Sequence, residues 1–146
     1  MPKNSSARVT VFNRQKLMRI PVAAVRRIVG EVLSGEKRRF RSASVSVSFL
    51  TDRAIRSLNR RYHHRDMPTD VLAFELGGAD ELIADIFIST ATCRRQAKVY
   101  GNLPQRELML YCIHGMLHLV GYDDHRPADT KRMRAAEAKY LKLWLS

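Results

Sequence analysis

Cysteine is scarce in this 146-residue chain. It has only Cys93 and Cys112, so a disulfide framework is not expected and both thiols should be reduced. No apolar run approaches the ~20 residues that span a bilayer, which excludes a transmembrane helix. The polar stretch Met1–Arg8 is followed by no long hydrophobic segment, so no secretory signal is expected. Repeats, low-complexity tracts and linkers are missing too, and the length suits one compact domain. Together these features predict a soluble, cytoplasmic protein with no membrane partner.

Acidic residues are the other shortage. There are 14 Asp and Glu against 26 Lys and Arg, a formal net charge of +12. Such a surplus describes partners rather than fold. Nucleic acid is the commonest cytoplasmic polyanion, and phosphate contacts dominate its non-specific affinity. The basic residues come in small groups, among them Arg26-Arg27, Arg60-Arg61 and Arg94-Arg95, so folding must assemble any basic face.

Hydropathy patterning orders the elements. Period-two alternation predicts strands over Arg8–Phe12 and Val45–Phe49, and Asp70–Phe74 is a third. Leu82–Ile88 is the most apolar candidate and is expected to be central. Helical spacing runs from Pro21 through Val25, Ile28, Val29 and Val32. Thr51-Asp52 offers a cap for a second helix, and Ser89 or Thr90 for a third ending at Gly101-Asn102. A long helix follows Pro104 and stops at Gly121, and Ala128–Leu145 forms the last. The order predicts an α+β, layered α/β fold: one mixed sheet of about four strands covered by about five helices.

Three of the five histidines fall within His114-Gly115-Met116-Leu117-His118-Leu119-Val120-Gly121-Tyr122-Asp123-Asp124-His125. On a helix, His114 and His118 lie about 40° apart around the axis and about 6 Å apart along it. Imidazoles so placed can grip one metal ion from the same side. The helix is apolar almost all round and should be buried, where an imidazole needs partners for both ring nitrogens. Gly121 can turn the chain back, which makes His125 a third ligand candidate. Three protein ligands with an open position is the arrangement of a catalytic zinc site. In HExxH proteases the residue after the first His is the general base; here it is Gly115, which argues against that chemistry. Gly115 is instead expected to leave room for a substrate beside the metal.

The segment Leu58–Phe74 holds His63, His64, Arg65, Asp66 and Asp70. Its simplest reading is a solvated basic loop, although Arg65 suits a phosphate. Asp85 interrupts an apolar strand, so it lies on an open face or has a specific partner. One such role is to accept a proton from a ligating imidazole.

HGMLHLVGYDDH closely resembles the HGxLHLxGYDH motif of the YbeY family of metal-dependent endoribonucleases. Leu58-Asn59, Tyr62, Asp66, Pro68-Thr69-Asp70-Val71-Leu72 and Phe74 resemble its second motif, and Ala84-Asp85-Ile86 its third. The resemblance implies one metal-dependent hydrolase domain over residues 1–146, with one zinc ion per chain held by three histidines. It implies cleavage of single-stranded RNA in maturation of the 3′ end of small-subunit ribosomal RNA, ribosome quality control, and the small subunit as partner. Its third ligand usually follows Gly-Tyr-Asp directly. Here Asp124 stands there and His125 comes one residue later, so His114, His118 and His125 are assigned, with Asp124 the carboxylate alternative. Many members carry Arg after the aromatic at Tyr62, where this chain has His63. His63 and Arg65 are therefore the catalytic candidates, with Arg60, Arg61 and Arg65 binding substrate. The competing readings are a non-catalytic zinc-containing ribosome-assembly or RNA-binding factor, and a zinc hydrolase acting on peptides or small molecules. The charge and Gly115 count against the second.

Overall fold

The structure is a computed structural model that describes residues 7–36, 40–62 and 71–145. The elements run β1 (Ala7–Asn13), α1 (Val22–Gly35), β2 (Ser42–Leu50), α2 (Asp52–Tyr62), β3 (Val71–Glu75), β4 (Glu81–Ser89), α3 (Thr90–Tyr100), α4 (Pro104–Leu119) and α5 (Pro127–Leu145). The strands form one mixed sheet in the order β1-β2-β4-β3. β1 and β4 both pair with β2 in parallel, and β3 pairs with β4 antiparallel. The α+β expectation is met, and β4 lies inside the sheet as its apolar composition implied.

Alternation decides which residues face which layer. Val9, Val45 and Ala84 share one cross-strand row, and Val11, Val47 and Ile86 the next. These rows belong to the main core, which also takes Val25, Val29 and Val32 of α1 and Met116 and Leu117 of α4. Burying one such side chain fully contributes roughly 1.5–3 kcal/mol. The opposite sheet face carries Leu72 and Phe87, which join Leu50 and Ile55 in a separate small cluster under α2.

Local chemistry sets the helix ends. Thr51 caps α2, its Oγ1 accepting from the Ala54 N–H at 3.2 Å, and Ser89 caps α3 by accepting from the Thr92 N–H at 3.1 Å. Pro104 opens α4 with its φ already helical. After α4, Gly121 takes φ 111°, a left-handed value that favours glycine. The Tyr122 N–H then bonds back to the Leu117 carbonyl at 2.9 Å, reversing the chain.

α4 is the hub. Leu108, Met109, Cys112, Ile113, Met116 and Leu117 are completely buried between the sheet, α1, α3 and α5. Gly115 corrects an expectation. It is buried against the sheet, and a Cβ there would meet the Ile86 Cγ2 at 3.2 Å and the Val71 Cγ1 at 3.5 Å. Its small size brings α4 close to β3 and β4 and makes no room for a substrate.

Candidate functional site

His114 and His118 lie one turn apart on α4, and both are only partly exposed. The Nδ1 atom of His114 lies 2.7 Å from the Glu137 Oε2 of α5. The other carboxylate oxygen, Oε1, accepts from the Arg134 Nη1 at 2.9 Å. Burial pushes the Glu137 carboxyl up, but the bonds from His114 and Arg134 outweigh it and hold it below the usual carboxylate range. Glu137 is therefore an anion in a mostly buried place, and it fixes the ring orientation of His114. The Nε2 atom is then the ring's remaining donor to a metal.

The turn at Gly121 leads into a polar cluster. Ligand atoms of Asp123, Asp124 and His125 all lie within 4.8 Å of one another. Asp123 Oδ1 accepts from the His125 N–H at 3.1 Å and lies 3.3 Å from its Nε2. Thr130 donates to the Asp124 carbonyl at 3.0 Å. Tyr122 donates to the Glu36 Oε1 at 2.8 Å, and Tyr140 donates to the Glu36 Oε2, so the loop is tied to α1 and α5. Among the described residues, His114, His118 and His125 do not form a triplet this tight. The buried thiols Cys93 and Cys112 are not in the cluster.

Beside His114 opens a cavity of about 490 Å³, bordered by α3, α4, α5 and the first residue of β3. Gln96, Tyr100, Arg106, Glu107, Arg134 and Glu137 line it. Two arginines and two carboxylates thus stand around one imidazole.

Other anticipated residues fall elsewhere. His63 and Arg65 lie outside the described residues. Arg60 and Arg61 are exposed at the end of α2, with the Arg61 guanidinium 6.0 Å from the centroid of the Tyr62 ring. Asp85 is on the sheet face opposite Ile86, the residue that meets α4, and it accepts a hydrogen bond from Ser46 at 2.5 Å. Alternation turns it away from the helix of the histidines, so it does not serve His114; Glu137 does. Glu137 was not anticipated, yet its signal is present. It is the charged member of the α5 stripe Met133, Ala136, Glu137, Tyr140 and Leu141. Arg106, Glu107 and Arg134 left no comparable mark.

The fold and site define an α+β protein whose buried central helix presents a carboxylate-oriented histidine to an open cleft. The chain belongs to the family described as Endoribonuclease YbeY, whose model matches residues 10–144. It is similar to the protein named Endoribonuclease YbeY of Chloroherpeton thalassium, 30% identical over 131 residues that cover 90% of this chain and 92% of that protein. Its likeness to the same-named protein of Carboxydothermus hydrogenoformans is 41% over 103 residues, covering 69% and 72%. For Myxococcus xanthus it is 44% over 103 residues, which cover 66% of this chain but only 35% of that longer protein. The match to an Anaeromyxobacter dehalogenans relative likewise spans about half, 52%, of its length. The solution structure of TM1509 from Thermotoga maritima shares the fold, with a TM-score of 0.61 at 24% identity, over 93% of this chain and 88% of that one. Among the described residues, no helix is long and apolar enough to cross a membrane.

Proposed function

We propose that this chain is a zinc-dependent endoribonuclease that cuts single-stranded RNA. In this reading it matures the 3′ end of small-subunit ribosomal RNA in the cytoplasm and takes part in ribosome quality control. Family membership supports the nuclease reading. The observation that carries the metal reading is the 2.7 Å contact between His114 and Glu137. A carboxylate on one imidazole nitrogen selects the tautomer whose other nitrogen is free to ligate.

Imidazole nitrogens and carboxylate oxygens are donor types that zinc takes. His114 and His118 from α4, with His125 from the loop, would hold one ion per chain, and Asp124 is the neighbouring carboxylate. Bound there, the ion would supply a water whose pKa is lowered to about 7 and a Lewis acid for a phosphoryl oxygen. The chain's own residues do the rest. Glu137 keeps the His114 proton on Nδ1. Arg134 and Arg106, on the cavity wall, bind the anionic backbone. His63 and Arg65, with Arg60 and Arg61 at the end of α2, are assigned to the charge of the cleaved phosphate and its approach.

The test is cleavage of an end-labelled single-stranded RNA by wild type and by His114→Ala, purified identically. Cleavage by the wild type and not by the variant is expected. Equal cleavage by both would trace the activity to a contaminant. RNA binding without cleavage by either would favour a non-catalytic assembly factor.

A further inference from the structure

We propose that the cavity beside His114 is a nucleobase pocket, in which Glu107 accepts a hydrogen bond from a base amino group and Tyr100 stacks on the base. The proposal rests on the RNA reading above and adds the part of the substrate that this cavity takes.

Glu107 carries the argument. It lines the cavity, yet only 4% of its surface is exposed. Its Oε1 accepts from the Asn102 Nδ2 at 3.1 Å, while its Oε2 has no hydrogen-bond partner among the described residues. A buried carboxylate oxygen without a donor is costly, and a ligand carrying an N–H would relieve it. The negative charge rejects a phosphate at that spot. The phosphates belong instead to Arg106 and Arg134 on the same wall. Arg134 spends one donor on Glu137, and its side chain stays 61% exposed.

Tyr100 is the second observation. It also lines the cavity, at the end of α3, and it is 68% exposed. An exposed aromatic ring on the wall of a cavity is how proteins bind unpaired bases, stacking being tolerant of sequence. The volume of about 490 Å³ lies within the roughly 300–1,000 Å³ of small-ligand sites.

The chemistry sets a preference. Cytosine presents an N4 amino donor, which carboxylates accept, whereas uracil presents the O4 acceptor there. The pocket should therefore take cytosine over uracil, two bases of nearly equal size.

The experiment measures equilibrium binding of fluorescent oligocytidylate and oligouridylate of equal length to the full chain, with oligomer integrity checked on a gel. Wild type should bind oligocytidylate about tenfold more tightly, the lower part of the range for one good base contact. Glu107→Gln should reduce this preference to less than about twofold. Tyr100→Ala should weaken both oligomers about tenfold, and Tyr100→Phe should restore binding. Because Tyr100 is exposed, these variants keep the test open if Glu107→Gln does not fold. Equal wild-type affinity for the two oligomers, or an unaltered Tyr100→Ala, would overturn the pocket and leave the RNA reading standing. Binding of neither oligomer by wild type would overturn both.

Discussion

His114 and Glu137 stand 2.7 Å apart although they are 23 positions apart in sequence. The contact exists because α5 packs along α4 and turns the stripe of Met133, Ala136, Glu137 and Tyr140 inward. Removing the carboxylate without changing its shape should loosen the imidazole. Glu137→Gln is expected to weaken zinc binding about 10–100-fold, the usual cost of losing such a partner. Asp85→Asn, on the other sheet face, should leave zinc affinity unchanged. Competition with a chromophoric chelator measures both.

Gly115 and Gly30 should respond oppositely to alanine. Both are helical, and alanine gains up to about 1 kcal/mol of propensity at such a site. At Gly30 a Cβ would meet nothing within 4 Å, so Gly30→Ala should stabilise the fold. At Gly115 the new methyl presses on Ile86, and overpacking costs about 1–3 kcal/mol. Gly115→Ala should therefore lower the denaturation midpoint. Equal gains in both variants would contradict the close approach of α4 to the sheet.

Asp52 links the starts of α2 and α3. Its Oδ1 accepts from Ser89 and from Thr92 at 3.0 Å, and its Oδ2 pairs with Arg95 at 2.9 Å. The Ser89 bond lowers its carboxyl most; burial opposes, and Arg95 and Thr92 add to the lowering. A lowered folded-state value means that the stabilisation is complete above the unfolded value near ~4 and fades as pH falls through the folded one. Asp52→Asn should cost roughly 1–2 kcal/mol at neutral pH. That deficit should shrink below about pH 4. A deficit independent of pH in urea titrations would count against the charge-assisted bonds.

Tyr122 anchors the loop that carries Asp123, Asp124 and His125 by donating to Glu36. Burial, followed by the Glu36 bond, pushes its phenol up to about 12. The stabilisation this implies is complete below the unfolded value near ~10 and is lost as pH rises through about 12. Tyr122→Phe should cost about 1 kcal/mol and remove that alkaline loss. Thermal melts at neutral and alkaline pH decide it.

Charge on the cavity wall should show in salt dependence. Each phosphate contact to a single strand contributes about 0.7 to the slope of log affinity against log salt. Arg106→Gln and Arg134→Gln should each flatten the slope by about that amount. Tyr100→Ala should weaken binding at constant slope. An unaltered slope in both arginine variants would place the backbone path elsewhere.

Much of this architecture is legible in the chain. The alternation of Val45–Phe49, the caps at Thr51 and Ser89 and the stop at Gly121 are local signals, and local physics decides them. So is the HxxxH spacing, which belongs to one helix. Asp85 was legible as an exception but not as to its partner. The row Thr10, Ser46, Asp85 and Phe74 depends on strand order, which no single strand encodes. Gly115 marks a close helix–sheet contact that only the packing of α4 on Ile86 reveals. Glu137 and Arg134 reach the cavity beside His114 through the docking of α5 on α4, and Glu107, on α4 itself, is buried by the packing around that helix. Their roles come from tertiary packing, and of the three only Glu137 left a sequence trace, as a charge on an apolar stripe.

The central claim is that His114 ligates a metal. Elemental analysis of wild type, His114→Ala, Asp124→Ala and His125→Ala, each dialysed against a weak chelator, tests it most directly. The expected result is one zinc per wild-type chain and almost none in His114→Ala, with the loop variants showing which of Asp124 and His125 completes the site. A His114→Ala protein that folds and still holds one tightly bound metal per chain would contradict the account.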